Sequence, residues 1–318
     1  MAATEGCIMI HVVSLNPCID KTASLSHFEI DSANRIRVIR EDAGGKGLNV
    51  SRMAVNLSAP VFLTGFRFEK TPHVLEEALE NGHVPYRLIS CPGALRTNLK
   101  LLDESRSATI EINEESAPVP ESRLMEMEKN LLSALHPGDM LVLTGSLPKG
   151  APVTLYRWLT EKAREKGCFV ALDCDGDTLK EALKASPDLI KPNHQELRRL
   201  LGTDPENARD ALPLIRKLMQ ETGVRYVCHS RGAEGAMLVS KEECFFSPSM
   251  DVPVRGVYGA GDAMLAGLCT ALHRGDTPAE ALRLGTSSSH ATIQLPGTQM
   301  GTPEEVMRLF PIAQANPM

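Results

Sequence analysis

Gly256-Val257-Tyr258-Gly259-Ala260-Gly261-Asp262-Ala263 runs straight into the apolar stretch Met264, Leu265, Ala266, Gly267 and Leu268. Two glycines flanking an alanine, an acid directly after them and helical periodicity beyond predict a tight loop that opens into a helix. At such an N-terminus the amides of Gly259, Ala260 and Gly261 are unpaired donors, and together with the helix dipole they favour an anion, a phosphate above all. A fixed carboxylate there repels that anion unless it has chemistry to perform on a neighbouring hydroxyl, which makes Asp262 a candidate general base. The alternative is an acid placed for the helix dipole beside glycines needed for a turn, and the loop alone does not separate the two.

On either side of this loop, strand and helix patterns alternate. Ile8 to Leu15 reads as a strand stopped by Asn16-Pro17, so Asp20 lies just past it, where an open α/β sheet faces its ligand crevice. Asp20 is a candidate hydroxyl ligand, with a solvated turn acid as the alternative. Residues 22 to 41 alternate loosely, as exposed strands do. Gly44-Gly45-Lys46-Gly47-Leu48-Asn49 then opens a second helix through Val50, Met53, Ala54 and Leu57. Its spacing fits neither a P-loop nor the dinucleotide fingerprint Gly-x-Gly-x-x-Gly, which disfavours a nucleotide-linked dehydrogenase. Val61 to Phe66 reads as a strand and Val74 to Leu79 as a helix closed by Asn81-Gly82. The runs Arg96 to Leu102 and Thr109 to Asn113 read as a hairpin turning over Asp103 to Ser107.

From Ser122 onward the pattern is that of a doubly wound sheet. Helix Leu124 to Leu135 precedes strand Met140 to Thr144, and helix 152–166 precedes strand Phe169 to Leu172. Helix Thr178 to Leu183, the apolar pair Leu189-Ile190 and a helix through Glu196 to Leu201 follow. After these come helix 206–222, strand Val224 to Cys228 leading to Ser230-Arg231-Gly232, and an antiparallel pair over 236–246. Helices over Pro278 to Ile293 and after Thr302 complete the chain. The expectation is an α/β protein with one domain over 1–318 and a small β-sheet lid from about 22–41 and 96–113. Asn193 and Glu196, three apart near a helix start, could hold the hydration shell of a magnesium ion. The same spacing satisfies a capping box, and on spacing alone the cap is favoured.

Composition bounds the function. At 318 residues, 42% hydrophobic and 23% charged, the chain can bury a large core. A net charge of −6 with scattered Lys and Arg argues against nucleic acid. The eight cysteines form no Cys-x-x-Cys pair and no metal-ligand spacing with the nine histidines, so they read as reduced, mostly buried thiols of a cytoplasmic protein. No basic leader precedes the first strand and no apolar run approaches spanning length, so neither export nor a membrane is expected.

With these pieces in order the chain resembles the PfkB branch of the ribokinase-like carbohydrate kinases, and within it the hexose-phosphate kinases. The carrying residues are Leu15 to Asp20, Gly44 to Asn49, Arg96-Thr97-Asn98, Thr144 to Pro148, Lys191-Pro192-Asn193 with Glu196, and Gly259-Ala260-Gly261-Asp262. The resemblance implies a ribokinase-like fold, ATP and Mg2+ as cofactors, and phosphorylation of a ketohexose phosphate. Fructose 1-phosphate is the leading acceptor, with tagatose 6-phosphate or fructose 6-phosphate as alternatives. It implies that Asp262 is the catalytic base beside the Gly259, Ala260 and Gly261 amides. Asp20, Gly45, Lys46 and Asn49 match sugar-contacting positions; Arg96, Lys100 and Ser146 match positions near the sugar's own phosphate. Lys191, Asn193, Ser230 and Gly232, with Gly259 and Gly261, match the nucleotide side, and Asn193 with Glu196 match the positions that organise magnesium, through water. A homodimer through the lid is implied too, with Arg35 reaching the partner's sugar phosphate.

Three departures stand out. Gly256-Val257-Tyr258 replaces the family's Ser/Thr-Thr-Val and removes a hydroxyl expected near the nucleotide. Arg67 to Thr71 replaces a glycine pair, which predicts a remodelled loop near the crevice. Arg231 replaces a usual Leu and is expected to meet phosphate or solvent. A sugar-phosphate sensor that lost turnover is the competing reading of another class, and retention of Asp262 argues against it.

Overall fold

A computed structural model describes residues 8–106 and 108–318. Cys7 and Ser107, with the N-terminal residues before Ile8, lie outside the described residues. Ten strands form one sheet in the order β14-β13-β12-β11-β10-β9-β8-β1-β4-β5, and four more form a smaller sheet, β3-β2-β6-β7. The large sheet uses β1 (Ile10–Ser14), β4 (Val61–Phe68), β5 (Tyr86–Cys91), β8 (Met140–Thr144), β9 (Phe169–Asp173), β10 (Leu189–Ile190) and β11 (Tyr226–Ser230), all parallel. The antiparallel strands β12 (Gly235–Val239), β13 (Cys244–Pro248) and β14 (Asn316–Pro317) extend one edge.

Parallel strands buried on both faces read as nearly continuous apolar runs, and β1 and β8, with only His11, Ser14 and Thr144 polar, have no exposed residue. Alternation then divides them. Val13, Leu141, Leu143, Phe66 and Val170 pack on one face with Leu131, Tyr156 and Ile215 of helices α3 (Glu121–Ala134), α4 (Leu155–Glu165) and α7 (Ala208–Thr222). Ile10, Val12, Met140 and Val142 pack on the other with Met53, Leu265 and Leu282 of α1 (Lys46–Asn56), α8 (Ala260–Arg274) and α9 (Pro278–Ile293). The fold is therefore the doubly wound α/β class expected. Among the described residues no helix is long and apolar enough to cross a membrane.

The smaller sheet consists of β2 (Cys18–Leu25), β3 (Arg37–Gly44), β6 (Arg96–Asp103) and β7 (Ala108–Asn113). Its first pair spans 18–25 and 37–44, so its strands begin earlier and end later than the 22–41 segment, and 26–36 is a connection without strand. Asp20 sits inside β2, not in the turn after β1. Leu99 and Ile110 are half-buried against Ala23, Leu25 and Leu101. Alternation on β6 puts Arg96, Asn98 and Lys100 on the opposite face from Leu99 and Leu101. Two strands escape the sequence pattern: β5, an edge strand with polar residues at several positions, and the two-residue β14. Of the stretch Arg67 to Thr71, expected as a remodelled loop, Arg67 and Phe68 continue β4 and pair with Ser90 and Cys91 on β5, while Glu69 to Thr71 turn the chain into the helix that starts at Pro72.

The strand order reverses at β1, which has β4 on one side and β8 on the other. Ligand crevices of open α/β sheets lie at the carboxyl ends of strands flanking such a reversal. Asn16 follows β1, Gly145-Ser146 follows β8, and Cys174-Asp175 follows β9. The helix carrying Asp262 is fixed against α9 by close backbone approach: a Cβ on Gly267 would lie 2.7 Å from the Gly285 Cα.

Candidate active site

A cavity of about 490 Å3 opens at this reversal, between the ends of β1, β8 and β9, the smaller sheet and the N-terminus of α8. Of the residues singled out from sequence, Asp20, Gly45, Lys46, Asn49, Arg96, Lys100, Ser146, Glu196, Gly259 and Asp262 line it.

Asp262 is 7% exposed, in the first turn of α8. Its Oδ2 accepts a hydrogen bond of 2.8 Å from Asn49 Nδ2, so the two glycine-rich loops, 213 residues apart in sequence, meet through the pair. Burial pushes the Asp262 carboxyl up to about 6, with Asp173 adding to the rise and Lys46, Asn49 and Lys191 opposing it. An acid held near neutrality by burial and by charges of both signs suits proton transfer. Gly259, at φ 75°, begins this helix in the left-handed region, and a Cβ there would come within 2.6 Å of Met300. The amides of Gly259 and Gly261 have no protein acceptor among the described residues, whereas that of Ala260 reaches the Val257 carbonyl at a long 3.4 Å.

Asp173 completes the electrostatics. It is not among the residues the sequence singles out, although an acid closing a parallel strand at the crevice is the available signal. Burial raises its carboxyl, but Lys191 and Lys46 outweigh that and hold it below the usual range. Lys46 Nζ lies 3.2 Å from Oδ1 and Lys191 Nζ 3.4 Å from Oδ2. The pairing follows from register: Ile190 of β10 lies opposite Leu172 of β9, so the next residues, Lys191 and Asp173, are neighbours. A Cβ on Gly261 would sit 3.3 Å from Lys191 Nζ, which places that ammonium beside the helix N-terminus.

The smaller sheet supplies the facing wall. Asp20 is opposite Asn98, and Asn113 and Glu111 of β7 are opposite Asn98 and Lys100, so period-two positions of three strands line the cavity. Lys100 Nζ is 3.3 Å from Asp20 Oδ1. Gly44 is required here, because a Cβ would overlap the Asp20 carboxylate at 2.1 Å. Arg96 differs from the other cations: its Nε donates to Asn16 Oδ1 at 3.0 Å and its Nη1 to Asn98 Oδ1 at 2.7 Å, both neutral. Asn16 in turn donates to Ser146 Oγ at 2.9 Å. Of the three cations Arg96, Lys100 and Lys46, two are thus matched by internal carboxylates, and Arg96 keeps an uncompensated charge. Asn16, Asn98 and Tyr258 belong to the sequence motifs without an assigned role; all three line the cavity.

The remaining positions lie elsewhere. Asn193 and Glu196 form a full capping box on α6 (His194–Leu201), with bonds of 2.9 and 2.8 Å. Asn193 bridges to Ser230, which brings the β11 end beside it, and Gly232 follows in a short 3-10 turn. Lys191, Asn193, Ser230, Gly232, Ala260 and Gly261 are outside the lining of the cavity. Arg35 is exposed and does not reach it. Arg231 faces neither the cavity nor solvent: it is 7% exposed and donates to Glu234 at 2.8 Å and to the Glu206 carbonyl at 2.7 Å. Tyr258, last of the three residues that replace the family's Ser/Thr-Thr-Val, lies against Lys100 of the smaller sheet, 3.8 Å from ring centroid to Nζ. Seven cysteines are free and buried among the described residues.

This fold and cavity are those of a ribokinase-like sugar kinase. The model of the pfkB family of carbohydrate kinases matches residues 13–305, and the chain belongs to that family. It is 34% identical over 306 residues to a 1-phosphofructokinase of Rhodobacter capsulatus, covering 95% of this chain and 96% of that protein. A tagatose-6-phosphate kinase of Staphylococcus epidermidis is 29% identical over 277 residues, with 86% and 89% covered. The crystal structure of phosphofructokinase-2 from Escherichia coli with substrates and products superposes with a TM-score of 0.90 at 23% identity, over 96% of this chain and 99% of that one. The chain is accordingly a phosphotransferase acting on a sugar hydroxyl.

Proposed function

We propose that the chain transfers the γ-phosphoryl group of ATP to the free primary hydroxyl of a phosphorylated ketohexose, fructose 1-phosphate first, giving fructose 1,6-bisphosphate and ADP. The observation that carries the phosphorylated acceptor is Arg96, a guanidinium on the cavity wall bonded only to neutral partners and so free to take a dianion. Lys100 stands two registers along the same face. Asp20 and Asn49 are placed for sugar hydroxyls, and Asp262 for the hydroxyl that reacts. As the oxygen–phosphorus bond forms and the bond to the β-phosphate oxygen breaks, the hydroxyl proton passes to the Asp262 carboxylate. The open amides of Gly259 and Gly261 and the Lys191 ammonium lie where charge collects on the transferring group.

Lys191, Asn193, Ser230 and Gly232 form the nucleotide side in this reading. Magnesium fits it through water: one Glu196 oxygen and the Asn193 oxygen are spent on the cap, while the Glu196 carboxylate still lines the cavity. The ion would neutralise charge on the nucleotide phosphates. The smaller sheet acts as a lid over the acceptor. Its outer surface leaves Val38, Ile39 and Ile112 at 47%, 54% and 50% exposure, and a second copy of the chain covers them in a homodimer. The free buried thiols suit a cytoplasmic enzyme.

The test is one panel at fixed ATP: fructose 1-phosphate, fructose 6-phosphate, tagatose 6-phosphate and free fructose. A phosphate ester should lead in kcat/KM by orders of magnitude, as charge-assisted contacts of roughly 1.5–3 kcal/mol each imply. Free fructose matching the best ester would remove the reading; tagatose 6-phosphate in the lead would change only the substrate.

A further inference from the structure

Tyr258 belongs by sequence to the loop ahead of α8, but its side chain is built into the smaller sheet. Lys100 Nζ sits 3.8 Å from the centroid of its ring, well inside the range of a cation–π contact. Glu111 is the direct cross-strand neighbour of Lys100. All three of Tyr258, Lys100 and Glu111 line the cavity. Burial, reinforced by the Glu111 carboxylate, pushes the phenol up to about 12, so it remains protonated.

Charge makes this arrangement consequential. Lys100 is 7% exposed and already carries one carboxylate partner, Asp20, at 3.3 Å. A second carboxylate, directly across the strand, would overcompensate the ammonium and leave nothing for an incoming phosphate. The ion pair of Lys100 is with Asp20 and not with Glu111. The Tyr258 ring lies against the ammonium, supplying a neutral face that attracts the cation without consuming its charge.

We propose that Tyr258 is a positioning residue for the acceptor's phosphate: its ring seats the Lys100 ammonium at the cavity wall. The subsite is then assembled jointly by the catalytic loop and the smaller sheet, one residue from Gly259. This rests on the reading of the acceptor as a sugar phosphate.

Steady-state kinetics of wild type, Tyr258→Val and Tyr258→Phe with fructose 1-phosphate and with free fructose test it, with thermal melting to compare folding. Tyr258→Val should raise KM for fructose 1-phosphate roughly 3- to 30-fold, the range of a cation–π contact, with kcat, KM for ATP and the activity on free fructose little changed. Tyr258→Phe, which keeps the ring over Lys100, should behave like wild type. Tyr258→Leu, which removes the ring but keeps more of the volume, decides the matter even if Tyr258→Val folds poorly. An unchanged KM in the ring-less variants, or a Tyr258→Phe that loses as much as Tyr258→Val, overturns the role given to Tyr258. A wild type with no preference for the ester over fructose overturns the acceptor reading, and this inference with it.

Discussion

Replacing Asp262 by Asn should stabilise the protein while disabling it. The carboxyl is 7% exposed and is raised from its ordinary 3.8 to about 6 in the fold, first by burial. An acid whose folded pKa is raised contributes most favourably below its unfolded pKa, and that contribution is lost as pH rises through the folded one. A rise from 3.8 to about 6 amounts to roughly 3 kcal/mol of destabilisation of the wild type near pH 8, and most of it is gone near pH 4. The introduced amide retains a side-chain oxygen that can accept the bond from Asn49, so the variant escapes the cost of the buried charge without opening a cavity. Urea denaturation of both proteins across that window should show the variant's advantage growing with pH. The same variant should lose about 10²- to 10⁴-fold in kcat, the usual contribution of a positioned general base. The wild type should lose activity as pH falls through about 6, because the base becomes protonated. Equal stability of the two proteins near pH 8 would refute the buried, raised carboxyl, and turnover like wild type in Asp262→Asn would refute the base.

Arg231→Ala should cost about 1–3 kcal/mol in urea denaturation, since it strips the donor from the Glu206 carbonyl, with KM for ATP nearly unchanged; the reverse pattern would restore a phosphate role to Arg231. Light scattering at micromolar concentration should give the mass of a dimer for the wild type and of a monomer for Ile112→Asp, whose native side chain is 50% exposed on the smaller sheet; a wild-type monomer would remove the proposed interface.

The parts of the fold legible in sequence are those where local pattern and tertiary burial agree. Met140 to Thr144 and Pro278 to Ile293 have the bounds their patterns predict, because one is a strand buried on both faces and the other starts at a Thr277–Glu280 capping box with Pro at its first turn. β5 escapes the pattern because it lies at the sheet edge, where Tyr86, Arg87 and Ser90 need not be apolar. Periodicity also starts α1 too late. Gly45-Lys46-Gly47 has weak helix propensity, and the turn is held from outside by the approach of Gly47 to Ser14, where a Cβ would lie 2.7 Å from the Ser14 Cβ.

The site divides along a similar line. Which positions reach the crevice is legible, because loops after parallel strands converge there whatever their sequence. Their charge state is not, because it is set by partners far apart in the chain: Lys46 and Asp173 are 127 residues apart. Counting Arg96, Lys100 and Lys46 as three free cations overstates the field on the acceptor. Asp173 holds Lys46, and Asp20 holds Lys100 at 3.3 Å, so that of these three Arg96 alone faces the cavity without a counter-charge. A phosphate that reaches Lys100 must therefore compete with Asp20. It competes well only if Asp20 receives something in exchange, and a sugar hydroxyl is the natural donor. Inorganic phosphate offers nothing to Asp20, and a free sugar offers nothing to Arg96 and Lys100. A sugar phosphate satisfies both halves at once, so selectivity comes from coupling the two contacts rather than from the strength of either.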